Sequence, residues 1–549
     1  MKKLEDQRSS TGKSITTSES YDAAYDEAMT RIKSQVEDAR ELAEEVISWI
    51  TLAIRPLTTS ELLHALAIEV GEPELDDANI SDVEDIVSAC AGLVVIDEES
   101  NIIRLVHYTT QEYFDRTQKQ WFPDAQASIA NSCLTYLSFD EFEAGPSPND
   151  DEFEARMGKH CLYDYAARHW GFHACFASPD TEKRILTFFK SKPKLAAATQ
   201  AMTIQPVKFK SARKHSYAFS QRTPREMTGV HVGAYFGLVG IVRALLDEGC
   251  AADSRCSNGQ TPLSFAAERG HEEVVRILLA VPDVNPDSQD TLCLRNGERT
   301  PLSFAAERGN VEVVRLLLET GCADTNSKTS GALLGGRTPL SFAAEKGHSD
   351  VVRQLLTRSD IEADCMDSTG RSPLAFAAQG GHILSVQLLL ADGTVNADSM
   401  NVEGWTPLAF AAANGHSEVI KPLIETEVVN PNSKNRKGPY RGFTPLMSAV
   451  WNNHELAVKA LLANGKVDVN GGAESQITDR QTPLMIAAYN GSEPIVKLLL
   501  QMDKIDINLT DDEGHTALDH ALKRGHSSIV KLLQSHPQGS ARSCREEES

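Results

Sequence analysis

Two His-Glu pairs, His271-Glu272 and His454-Glu455, begin like the His-Glu-x-x-His zinc signature, in which two imidazoles one helical turn apart hold the metal and the glutamate acts as base. Neither pair has the second histidine. Gly12-Lys13-Ser14 ends like a phosphate-binding loop, but Gln7 stands where the first glycine must let backbone amides approach phosphate. His160, Cys161, His169, His173 and Cys175 form a loose cluster. Zinc needs four converging ligands, and packing on a helix is the better reading of these five. No Gly-x-Ser-x-Gly elbow occurs. The chain is therefore expected to be non-enzymatic, without cofactor or metal.

The residue types that stand out suit binding. Lys434, Arg436, Lys437, Tyr440, Arg441 and Phe443 fall within one short stretch, and aromatic residues and arginine dominate binding hot spots. Arg337, Arg371, Trp405 and Phe443 share another property: each directly precedes a recurring Thr/Ser-Pro-Leu phrase, at a place that also holds Gln260, Arg299 and Gln481. Together these nine residues are the expected partner-binding set. A solvated loop is the plainer reading of the charges, and Trp405 could instead be tucked against a neighbouring loop.

The phrase itself dictates the elements that position these side chains. Thr261-Pro262-Leu263-Ser264-Phe265-Ala266-Ala267-Glu268-Arg269-Gly270-His271 returns at Thr300, Thr338, Ser372, Thr406, Thr444 and Thr482, degraded at Thr516 and weakly at Thr228. The threonine can cap a helix whose first turn holds proline, where no amide hydrogen is needed. Ala266 and Ala267 allow close approach of a second helix, and Gly270 ends the first. Val274, Val275, Ile277, Leu278 and Leu279 give the second helix its packing face. Each unit covers what its neighbour leaves exposed.

These residues resemble the ankyrin repeat family, which implies a solenoid of about nine units that binds protein partners through its fingers and concave helices. The family commonly has His after Thr-Pro-Leu, bonded back to the Thr. Here that place holds Ser264, Ser303, Ser341, Ala375, Ala409, Met447 and Met485, so the local bond is expected to be weakened or lost. His271, His348, His382, His416 and His526 follow the repeat period and are expected to be structural. The longest fingers are Asn285–Arg299, Cys322–Arg337, Asn430–Phe443 and Asn470–Gln481, and Thr516 opens a C-terminal cap.

In the front half, helical spacing is expected from near Tyr21, with one apolar stripe formed by Val36, Ala39, Leu42, Ala43, Val46, Ile47 and Ile50. A helix through His64–Ile68 capped by Thr59 or Ser60 follows, then a helix Asp82–Ala91, a hairpin around Asp97–Asn101, and a helix Thr109–Arg116. The strings Arg55-Pro56-Leu57-Thr58-Thr59-Ser60-Glu61-Leu62, Cys90-Ala91-Gly92-Leu93-Val94 and Arg104-Leu105-Val106-His107-Tyr108-Thr109-Thr110-Gln111-Glu112-Tyr113-Phe114 resemble the winged-helix segment of fungal NACHT–ankyrin proteins of the STAND class. In that class a nucleotide-switched ATPase precedes this module, and no such ATPase motif is found here. A DNA-reading role is rejected because the candidate recognition helix carries Asp82, Glu84 and Asp85 and no Lys or Arg.

The net charge of −23 also argues against nucleic acid. Residues 1–182 hold 14 basic against 36 acidic residues, and 226–549 hold 29 against 41. Between them, Lys183–Arg225 carry 11 basic residues and no acid. This strap is read as lying on its acidic neighbours, with Lys208, Lys210, Arg213 and Lys214 as the alternative of an import patch. Ten scattered cysteines without a Cys-x-x-Cys pair suit reduced thiols in the cytoplasm or nucleus. No apolar run reaches membrane-spanning length.

The expectation is a mainly α protein. It consists of a disordered tail 1–20, a winged-helix-like module 21–120, a helical extension 121–190, a basic linker 191–227, ankyrin repeats 228–536 and a loose tail 537–549. It is read as a monomeric protein-interaction scaffold or regulator that touches neither nucleic acid nor membrane. The alternatives are a nuclear co-regulator acting through a partner and the sensor remnant of a STAND ATPase.

Overall fold

The computed structural model describes residues 17–175, 178–204, 219–291, 297–331, 335–473 and 480–538. The chain divides into two compact units, Met1–Ser257 and Asn258–Ser549.

The first unit opens with α1 (Thr17–Lys33) and α2 (Glu37–Leu52). The helical run expected from near Tyr21 is thus broken at Ser34–Val36, where the Ser34 hydroxyl donates to the Arg31 carbonyl and no side chain caps α2, while the stripe of Val36 to Ile50 falls on α2 and its N-cap. α1 also starts inside the segment 1–20 expected to be disordered. α3 (Thr59–Leu66) is capped one residue earlier than expected. Thr58 accepts from the Glu61 amide while Glu61 reaches back to the Thr58 amide, a reciprocal box that satisfies two orphan donors. α4 (Val83–Ala89) is capped by Asp82, and Glu84 and Asp85 are exposed on it. β1 (Val94–Asp97) and β2 (Ile102–Leu105) pair antiparallel, Val94 opposite Leu105 and Asp97 opposite Ile102. α5 (Tyr108–Trp121) runs beyond the expected Thr109–Arg116 because His107 caps its start and Trp121, bonded to the Tyr113 hydroxyl, is still within it.

α6 (Ala125–Leu137), α7 (Asp150–Lys159), α8 (Tyr163–Ala174), α9 (Pro179–Lys190) and α10 (Lys192–Thr203) follow. α10 lies inside the stretch read as a linker. Lys194 on its first turn donates to the Ser138 carbonyl at 2.7 Å and pairs with Asp140 and Glu143, so this part of the strap does lie on acidic neighbours. Lys208, Lys210, Arg213 and Lys214 fall outside the described residues.

The first repeat, α11 (Gly229–Phe236) and α12 (Val239–Asp247), belongs to this unit and packs on α8 and α9. Phe236 meets Trp170 edge-on with centroids 5.1 Å apart. Gly171 sits mid-helix in α8, where glycine is disfavoured, because a Cβ there would lie 2.1 Å from the Phe236 ring. An ion-pair network ties the winged-helix part to the extension. Arg55 pairs with Glu61 at 2.6 Å and Asp164 at 3.2 Å, and Arg168 with Asp164 at 2.6 Å.

The second unit holds eight helix pairs, opening at Pro262, Pro301, Pro339, Pro373, Pro407, Pro445, Pro483 and Ala517. First helices contact first helices of the next repeat and second helices contact second helices along the array. Leu263, Leu302, Leu340, Leu374, Leu408, Leu446 and Leu484 form the continuous core with the paired alanines. The phrase acts as its chemistry requires: each Thr or Ser from Thr261 to Thr516 accepts from the amide three residues on.

The return bond is weakened at Ser264 and Met485, which accept from the Thr261 and Thr482 amides at 3.4 Å, and is kept at Ser341, which accepts from the Thr338 amide at 3.0 Å. In the last repeat Asp519 takes the same role, accepting from the Thr516 amide at 2.8 Å. The Gly-His histidines bridge repeats. His348, His382, His416, His454 and His526 donate through Nε2 to the carbonyls of Glu307, Glu345, Gln379, Ala413 and Tyr489 at 2.8–3.2 Å. Those carbonyls close first helices and have no intrahelical partner.

Candidate partner-binding surface

The residue before Thr-Pro is a stacking position. The Arg299 guanidinium lies 4.1 Å from the Phe304 ring of its own repeat and 4.5 Å from Phe342 of the next. Arg337 repeats this between Phe342 and Phe376 at 4.1 and 4.4 Å, and Arg371 lies 4.4 Å from Phe376. Arginine over an aromatic face is attracted by the ring quadrupole, more strongly once desolvated. Where arginine gives way to tryptophan, Trp405 stacks on Phe410 at 5.4 Å with planes 26° apart. The series continues through Tyr440, Phe443 and Trp451, with successive centroids 6.0, 5.4 and 5.9 Å apart.

This geometry corrects two of the nine expected contact residues. Arg337 is 4% exposed and pairs with Glu345 at 2.7 Å, and Phe443 is 1% exposed. Burial lowers the Arg337 pKa, and Glu345 opposes that shift. Neither side chain has a face left to offer. Arg371 is half-buried and turned onto Asp367 at 3.0 Å. Trp405 and Tyr440 are half-buried and in contact, so the tucked position of Trp405 and its place beside the basic finger hold together.

Lys434, Arg436, Lys437 and Arg441 are exposed around them. The backbone sets this finger: the Arg436 and Lys437 amides donate to the Glu403 carbonyl of the preceding finger at 2.7 and 3.1 Å, and the Asn435 amide to the Phe443 carbonyl at 3.0 Å. Lys434 Nζ bonds the Gly472 carbonyl at 3.3 Å, which leaves Arg436, Lys437 and Arg441 as the cations of the tip.

Sequence reasoning missed an adjoining groove of 580 Å³ lined by Trp451, Asn452, Asn453, Tyr489, Asn490, Ser492, Arg524 and His526. Arg524 lies 4.4 Å from the Tyr489 ring. Its signal was available. Trp451 and Tyr489 stand at the repeat position that holds Glu268, Glu307 and Glu345 elsewhere. In two of those repeats the glutamate meets the residue eight positions earlier, as Arg299–Glu307 and Arg337–Glu345, both at 2.7 Å; Phe443–Trp451 is the aromatic version of that pair. At these three repeats the residue before Thr-Pro matches this partner.

The histidines and cysteines of the front half are each placed separately. His173 is fully buried, its Nε2 accepting from the Tyr165 hydroxyl at 2.8 Å and its Nδ1 donating to Gln126 Oε1 at 2.6 Å. His160 faces Glu141 at 3.0 Å. Among the described residues no three His, Cys, Asp or Glu side chains converge as a metal site, and no helix is long and apolar enough to cross a membrane.

Comparison with known families agrees with both halves of this geometry. Ankyrin repeats match six overlapping stretches that together run from 207 to 542, more than half the chain. The winged helix domain of GPI inositol-deacylase matches residues 29–138. No curated protein matches the chain.

Proposed function

The chain belongs to the ankyrin-repeat family, and from that premise we propose that it is a protein-interaction scaffold whose contact surface is the basic, aromatic finger 434–443 and the groove beside it. One observation carries the reading: Arg436, Lys437 and Arg441 are exposed around the half-buried rings of Trp405 and Tyr440, on an array that is otherwise acidic. Half-buried aromatic residues ringed by arginine are the composition of binding hot spots. The finger therefore suits an acidic protein segment, with Trp405 and Tyr440 supplying apolar contact and the cations supplying on-rate and orientation.

Affinity purification with the full chain and with Arg436→Glu/Lys437→Glu/Arg441→Glu tests this. Partners recovered with the parent protein should be lost from the triple variant, while its melting temperature stays within a few degrees because the three side chains are exposed. Retention of every partner by the folded variant would remove the finger from the contact surface.

A further inference from the structure

A cavity of 660 Å³ opens within the first unit between α9, α10, the start of α11 and the end of α12. Leu186, Phe189, Leu195, Met227, Val230 and Leu245 give it an apolar lining. Packed protein interiors leave few voids larger than a water molecule, whereas this volume is that of small-molecule sites. Its walls are fixed by close packing: a Cβ on Gly229 would lie 2.6 Å from Phe189. The stretch leading into α11 is not relaxed loop either, since Glu226 is held at φ 63°, a region that side-chain-bearing residues rarely occupy.

The rim is chemically two-sided. Glu226 and Glu248 come from the α11–α12 wall, where Arg225 accompanies them. At the corner between α9 and α10 stand Lys190 and Lys192, both exposed and, among the described residues, without a hydrogen bond or ion pair. Lys194, one turn away, shows the contrast, being bonded to Ser138 and paired with two carboxylates. No acidic residue occurs in 183–225, and the acids of the lining are Glu226 and Glu248 on the α11–α12 wall. The start of α10 adds to it, because the Ser191 side chain makes no capping bond and the first turn carries no acid.

We propose that this cavity binds an aliphatic monocarboxylate, its chain among Leu186, Phe189, Leu195 and Leu245 and its carboxylate at Lys190 and Lys192. An apolar body with one anionic end is the ligand that matches an apolar chamber with a corner of two lysines that make no ion pair among the described residues. The site is independent of the finger surface and survives if that surface is wrong.

The test is calorimetric titration of the full chain with sodium dodecanoate below its micelle concentration, beside neutral 1-dodecanol. One saturable equivalent of dodecanoate is expected. Ala196→Phe, which fills the chamber, abolishes it. Lys190→Gln/Lys192→Gln weakens it roughly tenfold, the worth of one charge-assisted contact. If Ala196→Phe does not fold, Leu186→Glu, which sets a carboxylate in the lining, takes its place with the same loss expected. Absence of saturable binding by the parent chain, or undiminished binding by a folded lining variant, overturns the site. Equal affinity for 1-dodecanol, or indifference to the lysine substitutions, overturns the carboxylate assignment.

Discussion

His173 illustrates how a single side chain fixes a pH dependence. In its bonded state the ring is neutral, donating at Nδ1 and accepting at Nε2, and protonation would set two donors against each other at Tyr165. Burial, and secondarily His169, pull its pKa down to about 4. Because the folded value lies below the unfolded one, the neutral ring's contribution is complete above about pH 6.5 and is lost as pH falls toward 4, on the order of 3 kcal/mol. Denaturant melts at pH 7.5 and 5 should show about 2 kcal/mol of that loss, and His173→Gln, which keeps a donor and an acceptor, should remove this share and leave that of His169, whose pKa burial also lowers to about 4. Asp398 runs the other way. At its repeat position Asn432 and Asn470 donate to a carbonyl of the next finger and accept from an amide. Asp398 can only accept; one of its oxygens is unpartnered, and burial raises its pKa. The protonated form is favoured in the fold, so the ionised form is penalised as pH rises through the raised value. Asp398→Asn should therefore stabilise by about 1 kcal/mol at pH 7, with the gain vanishing near pH 3.

At the scale of the element, the stacked arginines separate structural from contact residues. Arg337→Ala removes a cation from between two rings and leaves Glu345 with the more distant Lys346 at 3.9 Å, and is expected to cost about 2–3 kcal/mol in denaturant melts. Arg436→Ala, exposed on the finger, should stay within about 0.5 kcal/mol. Equal effects would mean that the stack carries no energy. The sequence distinguished these two arginines poorly, and the reason is physical. The Thr-Pro-Leu period, Gly270 and the alanine pairs act within a few residues and so announce the helices. Which face Arg337 presents depends on Phe376, in the next repeat. Arg299 could have given warning, through Glu307 eight residues on, as Trp451 could for Phe443. In the front half, the Glu61 box was written in Thr58–Glu61, but its link to Asp164 crosses about a hundred residues and left no local trace.

At the scale of the molecule, the period did not mark where the compact units divide. The first repeat has the helices of its siblings, yet it belongs with residues before Ser257 because Phe236, Trp170 and Gly171 interlock. A fragment 1–257 should be soluble and melt cooperatively. A fragment 1–227 should aggregate, since it bares Trp170, Phe172 and Phe189, and light scattering of the two would decide it.

The shared rings also govern how such an array can grow. Arg337 is held by one ring that it brings and one that its neighbour lends, and Arg299 likewise, so the repeat opening at Thr338 is half of two joints. A copied segment of that stretch would be accepted wherever Arg and Phe meet Arg and Phe. Inserted beside Ser448 or Ile486, where the ring is missing, the same segment would strand a cation. Gene duplication can lengthen this protein in its arginine section, while the aromatic section is closed to imported spares.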